Sequence, residues 1–205
     1  MENRAYAVQA ETLEQKLSET INARPDRLIR TISDLVRIPS ENTPPAGSEA
    51  ECQRYVHDRL AGLDLKTEMY ELTDVSGFSD HPVYRPGRDY QNRPNVSALW
   101  KGSGGGKSLL LSGHIDTVPR GSASWSRDPF GATVEDNRLY GLGSNDMKGG
   151  IGAFIVAVEA MKEAGVKLRG DLLLETIVDE EFGGVNGTLA ARLRGHNADA
   201  AIICE

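Results

Sequence analysis

One histidine and a group of acids sit where a metal ion could be held. His114 and Asp116 close the apolar run SLLLSG, Asp179, Glu180 and Glu181 follow LLLETIV, and Glu205 follows AAIIC. Asp146 lies in the glycine-rich stretch GLGSNDMKGG. Taken singly, these residues have ordinary readings: a solvated acidic turn for Glu180-Glu181, a turn-former for Asp146. Their joint placement after buried-type strands is what points to function. Carboxylates gathered in one place repel each other unless protons or cations neutralise them, so a divalent metal is the economical explanation. One imidazole with several carboxylate oxygens suits zinc, and suits manganese or cobalt less selectively. Residues two apart on an extended backbone share a face, so Asp116 can accept the second N–H of His114 and fix its tautomer.

The elements that must position these residues follow from periodicity. Leu13 to Ile21 and Leu28 to Ile38 carry apolar residues at helical spacing, with Pro25 between them. A Pro- and Ser-rich loop over Pro39 to Ser48 precedes a third helix, Glu49 to Leu63, and an alternating strand, Lys66 to Leu72. Ser76 to Pro94, with Gly77, Pro82, Pro86 and Gly87, reads as a long surface loop. Beyond Asn95, strand candidates (VSALW, SLLLSG, DLLLETIV, DAAIIC) alternate with helix candidates at Met147 to Ala164 and Gly184 to Leu193. Such alternation predicts an α/β layer fold with a mixed, largely parallel sheet and flanking helices. In open sheets of this kind ligands bind beyond the carboxyl ends of the strands, where the acids and His114 fall.

Composition removes several functional classes. The chain has 205 residues, with 39% apolar and 26% charged side chains, ordinary for a soluble folded protein. The 23 Lys and Arg against 30 Asp and Glu give a net charge of −7, and there is no basic cluster to attract nucleic acid or anionic lipid. The longest apolar stretch, Ile151 to Val158, falls short of the roughly 20 residues of a membrane span. The N-terminus has no apolar signal core, and Cys52 and Cys204 imply no disulfide framework, so a cytoplasmic protein is expected. Gly102 to Ser108 resembles a phosphate loop, but the pattern needs glycine where Lys101 stands, and a hairpin turn is expected there instead. Gly141-Leu142-Gly143 fails as a dinucleotide fingerprint because Asp146 replaces the last glycine. His57, His81 and His196 have no ligand pattern around them.

The motifs SGHIDTVP, WSRDPFGATVEDNRLYGLGSNDMKGG and DEEFGG, followed by a strand ending in Glu205, resemble the di-zinc amidohydrolases. That family includes acetylornithine deacetylase, succinyl-diaminopimelate desuccinylase, aminoacylase and carboxypeptidase G. The resemblance implies a zinc-exopeptidase-like catalytic domain. His114 and Glu205 would bind one zinc and Glu181 the other, with Asp146 bridging the two; cobalt or manganese could substitute. Asp116 would orient His114, and Glu180 would serve as general base for a di-zinc-bound hydroxide. The peptide after the bridging aspartate, Asp146-Met147, would be cis. The implied substrate is an N-acyl amino acid or small peptide, hydrolysed at its amide bond. Leu142 departs from the arginine common at that position.

The resemblance also implies that residues 1–205 are the N-terminal part of the catalytic domain, with 1–24 a helical extension. The family's lid and dimerisation domain, and the late histidine that completes its second zinc site, have no counterpart here; a homodimer is expected for the complete protein. Two other readings compete with hydrolysis: a non-catalytic metal-binding or interaction protein, and an inactive fragment of a longer hydrolase. Retention of Glu180 argues against a purely binding role, which has no need of a base.

Overall fold

The computed structural model describes residues 2–205, with side chains from Thr12 onward. Two helices open the chain, α1 (Glu2–Asn22) and α2 (Asp26–Arg37), separated at Pro25. A small hairpin, β1 (Asn42–Thr43) with β2 (Ala46–Gly47), leads into α3 (Ala50–Ala61) and β3 (Lys66–Tyr70). Then come β4 (Asn95–Trp100), β5 (Leu109–His114), the hairpin β6 (Thr133–Glu135) and β7 (Arg138–Tyr140), and α4 (Lys148–Glu163). The chain continues through β8 (Leu172–Ile177), α5 (Val185–Leu193) and β9 (Ala200–Ile203). No helix among the described residues is long and apolar enough to cross a membrane.

The main sheet has the order β3-β4-β8-β5-β9. Its pairings are antiparallel between β3, β4 and β8, and parallel between β8, β5 and β9. The mixed α/β architecture expected from the alternation of elements is therefore present. The core lies where α3 and α4 pack on one face of the sheet. Ile151, Ile155 and Val158 recur at helical spacing on α4 and share one apolar core with Val56 and Leu60 of α3 and Leu174 of β8, all essentially solvent-free. On the opposite face, Arg192 of α5 reaches Glu175, which is buried.

Lys148, fully buried at the start of α4, donates to the carbonyls of Leu35 (2.9 Å) and Ile38 (2.8 Å). The Leu35 carbonyl also accepts the Ile38 N–H at 3.3 Å, so the lysine adds a donor at the end of α2 while anchoring the start of α4.

Two expectations are corrected. Ser76 to Pro94 is not a surface loop throughout: Phe78, Tyr90 and Arg93 are buried. The rings of Phe78, Tyr84 and Tyr90 meet edge to face, and the Arg93 guanidinium pairs with buried Glu49 through Nε (2.9 Å) and Nη2 (2.6 Å). Nor is Gly102 to Ser108 a hairpin turn. β8 inserts between β4 and β5, so this segment crosses the end of β8, where Gly102 donates to Asp171.

Candidate metal centre

Parallel register brings the sequence-selected residues to one edge. His114 pairs with Ile177 across β5 and β8, so Asp179 to Glu181 emerge beside the end of β5. On the other side Ser112 pairs with Ile203; His114 and Glu205, each two residues further along, reach the same edge. Asp146 arrives from the turn before α4. There the Asp146-Met147 peptide is cis, as the resemblance implied, and Met147 is buried with its Sδ accepting the His114 backbone N–H at 3.1 Å.

The imidazole of His114 is buried and fixed at both nitrogens. Nδ1 lies 2.9 Å from the Asp116 carbonyl oxygen and 3.5 Å from its carboxylate, so the nearer partner is the main chain. Nε2 faces the centre, 3.0 Å from Asp146 Oδ1 and 3.8 Å from Glu180 Oε2. Two donor triplets share this imidazole, His114 with Asp146 and Glu181, and His114 with Glu180 and Glu205. Within each triplet the donor atoms lie within 4.8 Å of one another. The structure thus gathers His114, Asp146, Glu180, Glu181 and Glu205, and it sets Glu180 among the donors.

Asp116 is fully buried and does more than face His114. Its carboxylate accepts the backbone N–H of Glu180 (3.0 Å) and of Glu181 (3.1 Å), and the Asn42 amide (2.9 Å). It therefore ties the turn after β8 to the end of β5. Asp179 stands apart from the donors. It takes a left-handed conformation (φ 64°) and accepts from Tyr90 Oη (2.6 Å) and Asn42 Nδ2 (3.2 Å), with Arg88 at 3.2 Å. Asn42, Tyr90 and Arg88 carry no signal in the sequence. Asn42 sits in a Pro-rich loop and the other two in an irregular stretch, where only the fold shows what they face.

The electrostatics suit a cation. Burial alone disfavours a charged imidazole, but the Asp116 and Glu180 carboxylates outweigh it and push His114 up to about 9. Burial raises Glu180, helped by Glu205, Asp116 and Asp146, and raises Glu181, helped by Asp146. A divalent ion would offset both the burial of these carboxyls and their crowding by neighbouring acids. The donor set of one constrained imidazole and several carboxylates fits zinc. His114 has the second partner at Nδ1 that a ligating histidine normally keeps.

Residues 110–205, which carry this constellation, match the model of peptidase family M20/M25/M40. The chain belongs to that family. Among curated relatives, the N-formyl-4-amino-5-aminomethyl-2-methylpyrimidine deformylase of Halalkalibacterium halodurans is 31% identical over 194 residues, covering 93% of this chain and 41% of that protein. The Bacillus subtilis protein of the same name is 28% identical over 208 residues, covering 100% and 42%. The chain thus spans about two fifths of the length of these relatives. An M20 family metallo-carboxypeptidase from Sulfolobus solfataricus superposes with a TM-score of 0.68 at 24% identity, over 87% of this chain and 37% of that one, a likeness of fold.

Proposed function

We propose that residues 1–205 form the N-terminal part of the catalytic domain of a zinc-dependent amidohydrolase acting on a small N-acyl compound, with a formamide the first candidate substrate. The observation that carries this reading is the pair of donor triplets meeting at His114. The formyl group is taken from the names of the two bacterial relatives. An N-acyl amino acid or small peptide would use the same chemistry, and the Sulfolobus relative is named as a carboxypeptidase.

His114, Asp146, Glu181 and Glu205 would hold zinc. Once bound, the metal would polarise the amide carbonyl and lower the pKa of the attacking water. The protein's own part is proton handling and geometry. Glu180, whose carboxyl is raised by burial and by neighbouring acids, would take a proton from the attacking water and deliver it to the leaving amine. Asp116 would hold the His114 ring and the Glu180-Glu181 turn in fixed relation.

The deciding assay follows formate release from N-formyl amines and amino-acid release from dipeptides by the zinc-loaded protein. Glu180→Gln, which keeps an oxygen at that position while removing the base, should lower kcat about 10²- to 10⁴-fold with zinc still bound. Unchanged turnover would remove Glu180 from the mechanism, and zinc binding without hydrolysis of either class would favour a non-catalytic metal protein.

A further inference from the structure

Asn42 lies in the hairpin strand β1, outside every motif of the metal centre, and is completely buried. Its Nδ2 lies within hydrogen-bonding distance of two carboxylates on different turns, Asp116 Oδ2 at 2.9 Å and Asp179 Oδ1 at 3.2 Å. An amide nitrogen has two hydrogens, and both are used here. The opposite amide orientation would point a carbonyl oxygen at two carboxylates, so the donor assignment follows from chemistry. The Asn42 Oδ1 is buried with no hydrogen-bond partner among the described residues. A buried acceptor left unpaired is costly, and here the side chain places both donors on acids.

The backbone around Asn42 is held without help from its side chain. Asn42 N donates to Thr117 O (2.8 Å), Thr117 N donates to Ser40 O (3.0 Å), and Ser40 Oγ donates to Ile115 O (2.6 Å). The segment from Ser40 to Asn42 therefore runs along the extension of β5 that carries His114 and Asp116. From this fixed base the carboxamide reaches Asp179, the residue that opens the Glu180-Glu181 turn after β8.

We propose that Asn42 is a positioning residue for the metal centre, setting the spacing between its two ligand-bearing turns by clamping Asp116 to Asp179. The inference rests on the reading that His114 and its neighbouring acids bind a divalent metal. Asn42 touches no donor atom of either triplet and acts through Asp116 and Asp179.

Cobalt(II) is the probe, because its visible absorption reports coordination geometry as well as affinity. Asn42→Ala removes both hydrogen bonds, and Asn42→Asp keeps the shape while losing the donors. Both should weaken cobalt(II) binding ten- to a hundredfold, the usual effect of losing a partner behind a metal ligand. Both should also change the visible spectrum while far-UV circular dichroism still reports a folded protein. Cobalt(II) affinity within twofold of the unsubstituted protein with the same spectrum overturns the proposal, as does loss of the fold in both variants, which would make Asn42 a structural residue. His114→Ala separates the two levels. If it binds cobalt(II) undiminished, the metal reading itself fails; if it loses the ion while the Asn42 variants keep it, the inference alone fails.

Discussion

Asp116 shows how much one side chain can organise. It is fully buried, yet neighbouring donors hold its carboxyl below the usual range: burial acts to raise it, and His114, Asn42 and the Glu180 N–H together outweigh that effect. Asp116→Ala would leave the Glu180 and Glu181 N–H groups without their acceptor and His114 without its carboxylate neighbour. The expected result is a loss of about 1–3 kcal/mol of stability, read by urea unfolding, and zinc binding weakened about 10- to 100-fold, read by chelator competition. Zinc affinity equal to that of the parent would show that the ring is held by the Asp116 carbonyl alone. The sequence made the His114-Asp116 pair legible, because alternation on a strand places both residues on one face. The backbone hydrogen bonds that Asp116 accepts from the next turn depend on strand order and could not be read from spacing.

Among the elements, the first turn of α4 and the residue after β9 come close together. A Cβ at Gly150 would overlap the Cys204 carbonyl oxygen, and Cys204 directly precedes Glu205. Glycine here lets β9 lie near enough to α4 for Glu205 to share a donor group with His114. Gly150→Ala should cost about 1–3 kcal/mol through overpacking and should weaken metal binding by moving Glu205. If thermal unfolding and zinc titration both match the parent, the close approach is not what positions Glu205. The helices and strands themselves were largely readable. Periodicity identified α2, α3, α4 and α5, and compact apolar runs identified β4, β5, β8 and β9, although β9 is an exposed edge strand rather than a buried one. The β1-β2 and β6-β7 hairpins were not foreseen, since strands of two or three residues are too short to show alternation.

At the scale of the molecule, a polar cluster joins β3, β4 and the chain after α5. Glu68 accepts from Arg194 (2.6 Å) and Ser97 (3.1 Å) and lies 2.7 Å from His196 Nε2. Arg194, then His196 and Ser97, lower the Glu68 carboxyl from its ordinary 4.5 to about 2 against the opposing effect of burial. A depressed acid stabilises the fold above its unfolded pKa, and that contribution disappears as pH falls from about 4.5 towards 2. Unfolding midpoints in urea at pH 7 and pH 3 should therefore differ less in Glu68→Gln than in the parent, and equal differences would remove Glu68 from the acid response. This cluster also accounts for His196, which stood outside every motif in the sequence: it bonds to Glu68 of β3 and Ser97 of β4.

Residue types and local spacing by themselves pointed to the α/β class, most of the elements, and a group of acids (Asp116, Asp146, Asp179, Glu180, Glu181 and Glu205) around His114, from which the family resemblance left out Asp179. Those signals are short-range, since alternation, helical period and an acid after an apolar run each lie within a few neighbouring residues. Only the tertiary structure decided that β8 lies between β4 and β5, that Ser76 to Pro94 carries buried side chains, and that Asn42 spans Asp116 and Asp179. These contacts join residues separated by 74 and 137 positions for Asn42 alone. Nothing in the local pattern of either partner records a pairing that exists only once the sheet has ordered its strands.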